Sequence, residues 1–182
     1  GHKIHASKGV GALYIKKSLP ALIHGGGQEN GLRSGTENTS GIAGMVAAVQ
    51  SYPSDAMERM RGLKRLLLSL LTEALPETTV AGLPVDDPMS AGHILNASFP
   101  PVRAETLLHA LEADGICVGT GSACSSKKGR RSPVLTAMHL PPQVMDSAIR
   151  MSLCPFNTEE EMRYTAEKII ERVGQLRRFT RR

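Results

Sequence analysis

The chain has 182 residues, 41% hydrophobic and 21% charged, a composition of folded globular chains that excludes disordered and low-complexity classes. No apolar run approaches the roughly 18 residues of a membrane span, and three cysteines without paired spacing argue against a disulfide framework and for a reducing, cytoplasmic setting. The net charge of +5 invites a nucleic-acid partner, but 3% aromatic content and no tryptophan leave few stacking platforms. Arg172, Arg177, Arg178, Arg181 and Arg182 crowd the end of a predicted helix instead, where cations complement its dipole. Neither a nucleic acid nor a membrane is therefore expected as a partner.

In chain order, residues 1–17 open with a polar, glycine-spaced stretch, GHKIHASKG, followed by a short apolar run, VGALYI, which predicts a buried strand. Residues 24–41, HGGGQENGLRSGTENTSG, form a glycine-rich loop. It leads into GIAGMVAAVQ, a helix of small residues that must pack closely against something. After Pro53 a stronger helix begins. Asp55 and Glu58 have capping-box spacing, and Met57, Met60, Leu63, Leu67, Leu70 and Leu71 recur at helical period. From about Pro76 short strands alternate with helices: TTVAG (78–82), HILNASF (93–99), ICVGT (116–120) and AIRMSL (148–153) are predicted strands. ETLLHALEAD supplies a helix between the second and third, and Thr158 with Glu161 caps a long final helix, TEEEMRYTAEKIIERVGQLRRF. This order predicts an α/β chain whose residues 76–182 form an α+β sandwich. A core strand and glycine loop with almost nothing before them read as a sequence that begins inside a larger domain.

Four groups of residues carry chemistry. Gly25, Gly26, Gly27, Gly31 and Gly35 leave backbone amides open, and Arg33, Ser34 and Thr36 add donors just before a helix start. This pattern suits an anion cradle or a plain connecting loop, and it lacks the Gly-Lys-Ser/Thr of a nucleotide-binding P-loop. Lys3, in the polar opening, is a solvated cation or an imine-forming amine, which needs desolvation to lose its proton. Cys124 sits in GTGSACSSKKGRRS with Lys127, Lys128, Arg130 and Arg131 just behind it. A cationic field favours the nucleophilic thiolate, though exposed charges are screened, so an idle surface thiol and a nucleophile both fit. Cys117 and Cys154, in or beside apolar strands, are expected to be core-packing thiols, and no cysteine pair has metal-site spacing. Arg150 lies within the apolar pattern of AIRMSL, where a buried arginine needs an anion, either an internal carboxylate or that of a substrate.

Taken together, these stretches resemble the cysteine desulfurases, pyridoxal-phosphate enzymes of the class V aminotransferase group. GHKIHASKGVGALYI resembles the segment around that family's Schiff-base lysine, and GGGQENGLRSGTEN its phosphate-side loop. HILNASFP resembles a strand of its small domain, GTGSACSS its active-cysteine loop, and AIRMSL followed by NTEEE its closing strand and helix. The residues between Cys124 and SPVLTAM resemble the long-loop subgroup, which hands sulfur to iron–sulfur scaffold proteins.

The resemblance implies a role for each matching residue. Lys3 would hold pyridoxal 5'-phosphate and move protons on the substrate, while His2 and Gly1 would line the cofactor phosphate. Thr36 would reach the phosphate of a neighbouring subunit's cofactor, which implies a homodimer. Arg150 would hold the carboxylate of L-cysteine. Cys124 would take its sulfur as a persulfide, leave alanine, and pass the sulfur to an acceptor; it could also ligate an iron–sulfur cluster transiently, with no resident metal expected. HASKG stands where the family more often shows a His-Gly-Pro-Lys-Gly type of sequence, so Ala6 and Ser7 depart from it while Lys3 does not. The family's partner for the pyridine nitrogen and its ring-stacking histidine precede its lysine. The chain is therefore expected to be a C-terminal fragment, inactive alone. Residues 1–52 would be the end of the large cofactor domain, 53–75 a connecting helix and 76–182 the small domain. A selenocysteine lyase of the same cofactor class and a non-catalytic basic binding module are the alternatives.

Overall fold

The computed structural model describes residues 1–121 and 131–180 and divides the chain into two compact units, Gly1–Pro53 and Ser54–Arg182. In the first, a single 3-10 turn, His2–Ile4, and a second, Glu29–Gly31, precede helix α1, Thr39–Gln50. Asn38 starts α1 by accepting the Gly41 N–H on its side-chain oxygen at 3.1 Å, the usual N-cap bond. Ile42, Val46 and Val49 lie on one face of this helix and remain exposed, so close packing is confined to residues such as buried Gly41. The strand expected over VGALYI is absent: residues 10–15 have no regular structure, and Leu13 and Tyr14 are exposed. A strand needs a neighbour for its backbone groups, and among the described residues of this unit the one ladder contact is an isolated parallel bridge between Ile23 and Arg33.

The second unit is the α+β sandwich. Strands β1 (Thr79–Val80), β2 (Ile94–Ser98), β3 (Gly119–Thr120) and β4 (Ala148–Ser152) form one antiparallel sheet in the order β1-β2-β4-β3. Helices α2 (Ala56–Ala74), α3 (Ala104–Ala113) and α6 (Glu159–Thr180) pack together and against this sheet, while the short α4 (Pro133–Ala137) and α5 (Pro142–Asp146) lead into β4. The core follows from periodicity. Leu95 and Ala97 of β2, with Ile149 and Met151 of β4, alternate inward, while α2 buries Met60, Leu63, Leu67 and Leu71 at helical spacing. Met57, predicted on the same stripe, is exposed at the first turn.

Two of the expected caps differ in outcome. At α6 the reciprocal box forms: the Glu161 N–H donates to Thr158 Oγ1 at 3.2 Å, and the Thr158 N–H donates to Glu161 Oε2 at 3.0 Å. At α2, Asp55 occupies the N-cap but its side chain caps nothing, because its φ of −93° and ψ of 7° depart from the extended backbone typical of a working cap. Glu58 faces Arg61 instead, at 3.9 Å.

Cations along α2 clamp the following connection. Arg61 Nη1 donates to the carbonyls of Val85 and Asp87, at 2.8 and 3.0 Å. Lys64, only 5% exposed, donates from Nζ to Ser90 Oγ and to the Ala91 carbonyl, both at 3.0 Å. Burial, reinforced by the charge of Arg61, pushes the Lys64 ammonium below the usual lysine range. A second clamp joins two helices: Arg172 of α6 grips Asp114 after α3 by Nε to Oδ2 at 2.8 Å and Nη2 to Oδ1 at 2.6 Å. No described helix is long and apolar enough to cross a membrane.

Candidate active site

Lys3 stands on the 3-10 turn His2–Ile4, with its side chain exposed. The turn is compact because the N–H groups of Ile4 and Ala6 both donate to the Gly1 carbonyl, at 3.0 and 3.2 Å, while His5 ends it in the left-handed region at φ 65°. The Gly1 nitrogen donates to the Val10 carbonyl at 2.8 Å, which ties the two ends of the segment together. His2 is exposed beside Lys3. Among the described residues no carboxylate pairs with the Lys3 amine, so nothing internal competes for it.

The glycine loop uses several of the amides that its sequence leaves open. Gly31 donates to the Gly27 carbonyl at 2.9 Å, Gly35 to Gln28 Oε1 at 3.0 Å, and Gly27 to Ser34 Oγ at 3.4 Å. Ser34 is itself buried. The loop therefore folds around its own backbone, and Thr36 follows it as an exposed hydroxyl ahead of α1. Gln28, which has no place in the sequence pattern, is the side chain that organises this turn. A polar residue between glycines was the available signal.

In the second unit, Arg150 is at the middle of β4 but is exposed, not buried as its apolar neighbours suggested. Strand alternation is the reason: Ile149 and Met151 turn into the core, so Arg150 must turn to the opposite face. It pairs in register with Asn96 of β2 on one side and Gly119 of β3 on the other. None of the ion pairs among the described residues includes it, so the internal carboxylate partner weighed above is not found there.

The two cysteines expected in the core are not in it. Cys117 is exposed and Cys154 half-buried. β3 is only Gly119–Thr120, so Cys117 falls in the irregular approach to it, and Cys154 falls in the turn after β4, where its N–H donates to Asn157 Oδ1 at 2.8 Å. Cys124, with Lys127, Lys128 and Arg130, lies outside the described residues. A Cβ built on Gly121 would lie 2.9 Å from Ser132 Cβ, so the backbone at 121 and the side chain at 132 are in contact. Next to Ser132, Arg131 makes a two-point pair with Asp146, Nε to Oδ1 at 2.9 Å and Nη2 to Oδ2 at 3.1 Å. The hydrogen bond from Arg131 holds the Asp146 carboxyl below the usual carboxylate range. Lys3 and Thr36 belong to the first unit and Arg150 to the second.

The sequence is 38% identical over 185 residues to the cysteine desulfurase IscS of Clostridium botulinum, covering 98% of this chain and 46% of the relative. It is 40% identical over 184 residues to the IscS of Escherichia coli, covering 97% and 44%. A solved NifS-like protein superposes with a TM-score of 0.79 at 41% identity, over 96% of this chain and 45% of that one. The chain thus spans less than half the length of the curated relatives it matches. The profile of the Aminotransferase class-V family matches residues 1–164, most of the chain, and the protein belongs to that family.

Proposed function

We propose that the full-length protein carrying this sequence is a cysteine desulfurase, which converts L-cysteine to L-alanine and takes the sulfur as a persulfide on Cys124. The observation that carries this reading is the alignment of 98% of the chain with a protein named cysteine desulfurase at 38% identity. Residues 1–52 then act as the end of the cofactor domain, 53–75 as a connecting helix, and 76–182 as the small domain.

The donor set suits pyridoxal 5'-phosphate. Lys3 offers an exposed primary amine with no competing carboxylate among the described residues, His2 and Thr36 offer exposed donors for a phosphate, and Gly1 lines it at the start of the turn. Gly1 is closely packed, since a Cβ there would meet Ala6 Cβ at 3.0 Å, which supports a tight backbone approach at this point. The cofactor, when bound, supplies an electron sink for the substrate's Cα–H and Cβ–S bonds. Arg150, free of described carboxylates, takes the substrate carboxylate through two parallel N–H donors. Lys3 holds and moves protons at Cα. The Cys124 thiolate attacks the substrate sulfur, the Cβ–S bond breaks, and a proton is added at Cβ. The products are alanine and Cys124–S–SH, with no outside oxidant or reductant needed. Thr36 reaches the cofactor phosphate of a second subunit in a homodimer, and the persulfide passes its sulfur to an iron–sulfur scaffold or another acceptor protein.

Incubation of the cofactor-loaded, full-length protein with L-cysteine tests this. Alanine should appear, and the peptide containing Cys124 should gain the mass of one sulfur atom. Cys124→Ser should abolish both the persulfide and the transfer of sulfur, and Lys3→Ala should abolish alanine formation. Alanine release at an unchanged rate from Cys124→Ser would overturn the assignment of Cys124. Faster turnover of selenocysteine than of cysteine, independent of Cys124, would favour a selenocysteine lyase.

A further inference from the structure

Strand β2 carries a polar group that the fold does not use. Asn96 lies at the centre of β2, and its Oδ1 is buried with no donor among the described residues. An acceptor withdrawn from water and left unpaired is unfavourable, so its retention calls for a donor. Its register partner is Arg150. Residues directly opposite on antiparallel strands share a face, with Cβ atoms about 4.5–5.5 Å apart, within easy reach of an arginine. On the other flank, a Cβ built on Gly119 would lie 3.3 Å from Arg150 Nη2 and 3.7 Å from both Cζ and Nε. The guanidinium thus rests where a side chain at 119 would stand.

One row across the sheet therefore holds an acceptor without a donor, a guanidinium without a described carboxylate, and a bare glycine. We propose that Asn96 is a positioning residue for Arg150: its amide oxygen accepts one guanidinium N–H and aims the remaining donors at the substrate carboxylate. A guanidinium has five N–H groups, and a two-point carboxylate bond uses two, so the bond to Asn96 does not compete with substrate. In the structure the guanidinium lies over Gly119, on the β3 side of β4, and it makes the bond to Asn96 by swinging across β4 toward β2. The inference rests on the reading of Arg150 as the carboxylate grip of a cysteine desulfurase.

The test uses the full-length, cofactor-loaded protein with Asn96→Ala and Asn96→Asp. L-Alanine and ethylamine, the same amine without its carboxylate, serve as competitive inhibitors. Asn96→Ala should raise KM for L-cysteine and the inhibition constant of L-alanine about tenfold, as expected for losing a hydrogen bond to a charged group. It should leave ethylamine and kcat nearly unchanged. Asn96→Asp places a carboxylate opposite Arg150, where it pairs with the guanidinium and competes with substrate, so its effect on KM should be larger still. Equal weakening of L-alanine and ethylamine, or KM values within about twofold of an active wild type in both variants, would overturn the role.

A wild type that forms no alanine would instead refute the desulfurase reading. Asn96 is then judged on the same full-length, cofactor-loaded protein by the Arg150 Nε–H resonance in 15N spectra with excess L-alanine. A resonance that shifts in wild type and not in Asn96→Ala supports the positioning role, and identical behaviour of the two overturns it. Thermal melting of each variant separates these effects from misfolding.

Discussion

At the scale of single residues, two contacts have consequences that can be measured. Gly121 touches Ser132 so closely that an alanine Cβ would sit 2.9 Å from Ser132 Cβ, a short side chain that cannot swing aside. Gly121→Ala should therefore lower stability by about 1–3 kcal/mol, as overpacking does, read as a lower urea midpoint. In the full-length protein it should also slow persulfide formation on Cys124, because the flanking backbone must part. Lys64 presents the opposite case, a buried cation held by two oxygens. Lys64→Ala strands Ser90 Oγ and the Ala91 carbonyl without their donor and should cost about 1–3 kcal/mol. Its lowered pKa gives a second signature. Between the folded and unfolded pKa values the unfolded chain binds more protons, so wild-type stability should rise with pH through that window. Lys64→Ala should lack the rise in urea titrations at alkaline pH.

At the scale of elements, the contrast between α2 and α6 shows what a sequence pattern can promise. Both have a capping residue followed three positions later by glutamate, yet only Thr158 and Glu161 close the reciprocal bonds. Glu161 also accepts from Asn157 Nδ2 at 2.9 Å, and these hydrogen bonds hold its carboxyl below the usual range. Thr158→Ala should cost about 1 kcal/mol and fray the first turn of α6, seen as faster amide exchange at Glu161 and Met162. Asp55→Ala, lacking any capping bond to lose, should shift the melting midpoint far less. The spacing was legible in both helices. The backbone angles at the cap, which decide whether the side chain can reach back, were not.

At the scale of the whole second unit, the long helix α6 is fastened across the sandwich by charge as well as by its apolar face. Arg172 holds Asp114 beyond α3, and Arg177 Nη2 donates to the Pro100 carbonyl at 3.0 Å. The hydrogen bond from Arg172 lowers the pKa of Asp114. A lowered carboxylate pKa contributes stability above the unfolded value, near 4, and loses it as pH falls through the folded value. Asp114→Asn should therefore be less stable than wild type at neutral pH. The gap should close below about pH 4 in urea titrations.

By itself the sequence determined the order of the strands and the longer helices in residues 76–182, most of the apolar stripe of α2, the box at α6 and the motifs that place the chain in its family, while the short α5 went unread. These depend on local periodicity and short-range spacing, which one strand or helix carries alone. Tertiary structure decided what each polar or sulfur-bearing residue faces. AIRMSL is apolar enough to suggest a buried arginine, but the two sides of a strand differ only once helices cover one of them, and Arg150 lies on the other. Cys117 and Cys154 stay out of the core because they fall at the alternate positions shared by Gly119 and by the exposed Arg150 and Ser152, while buried Leu153 and Pro155 lie on either side of Cys154. VGALYI has the composition of a strand, but pairing requires a partner strand that its unit does not present among the described residues. Asn96, unremarkable within HILNASF, gains its meaning from the register that sets it opposite Arg150, more than fifty residues away in the chain. That register is fixed by which faces of two strands are buried together, a property of the pair and of neither sequence segment.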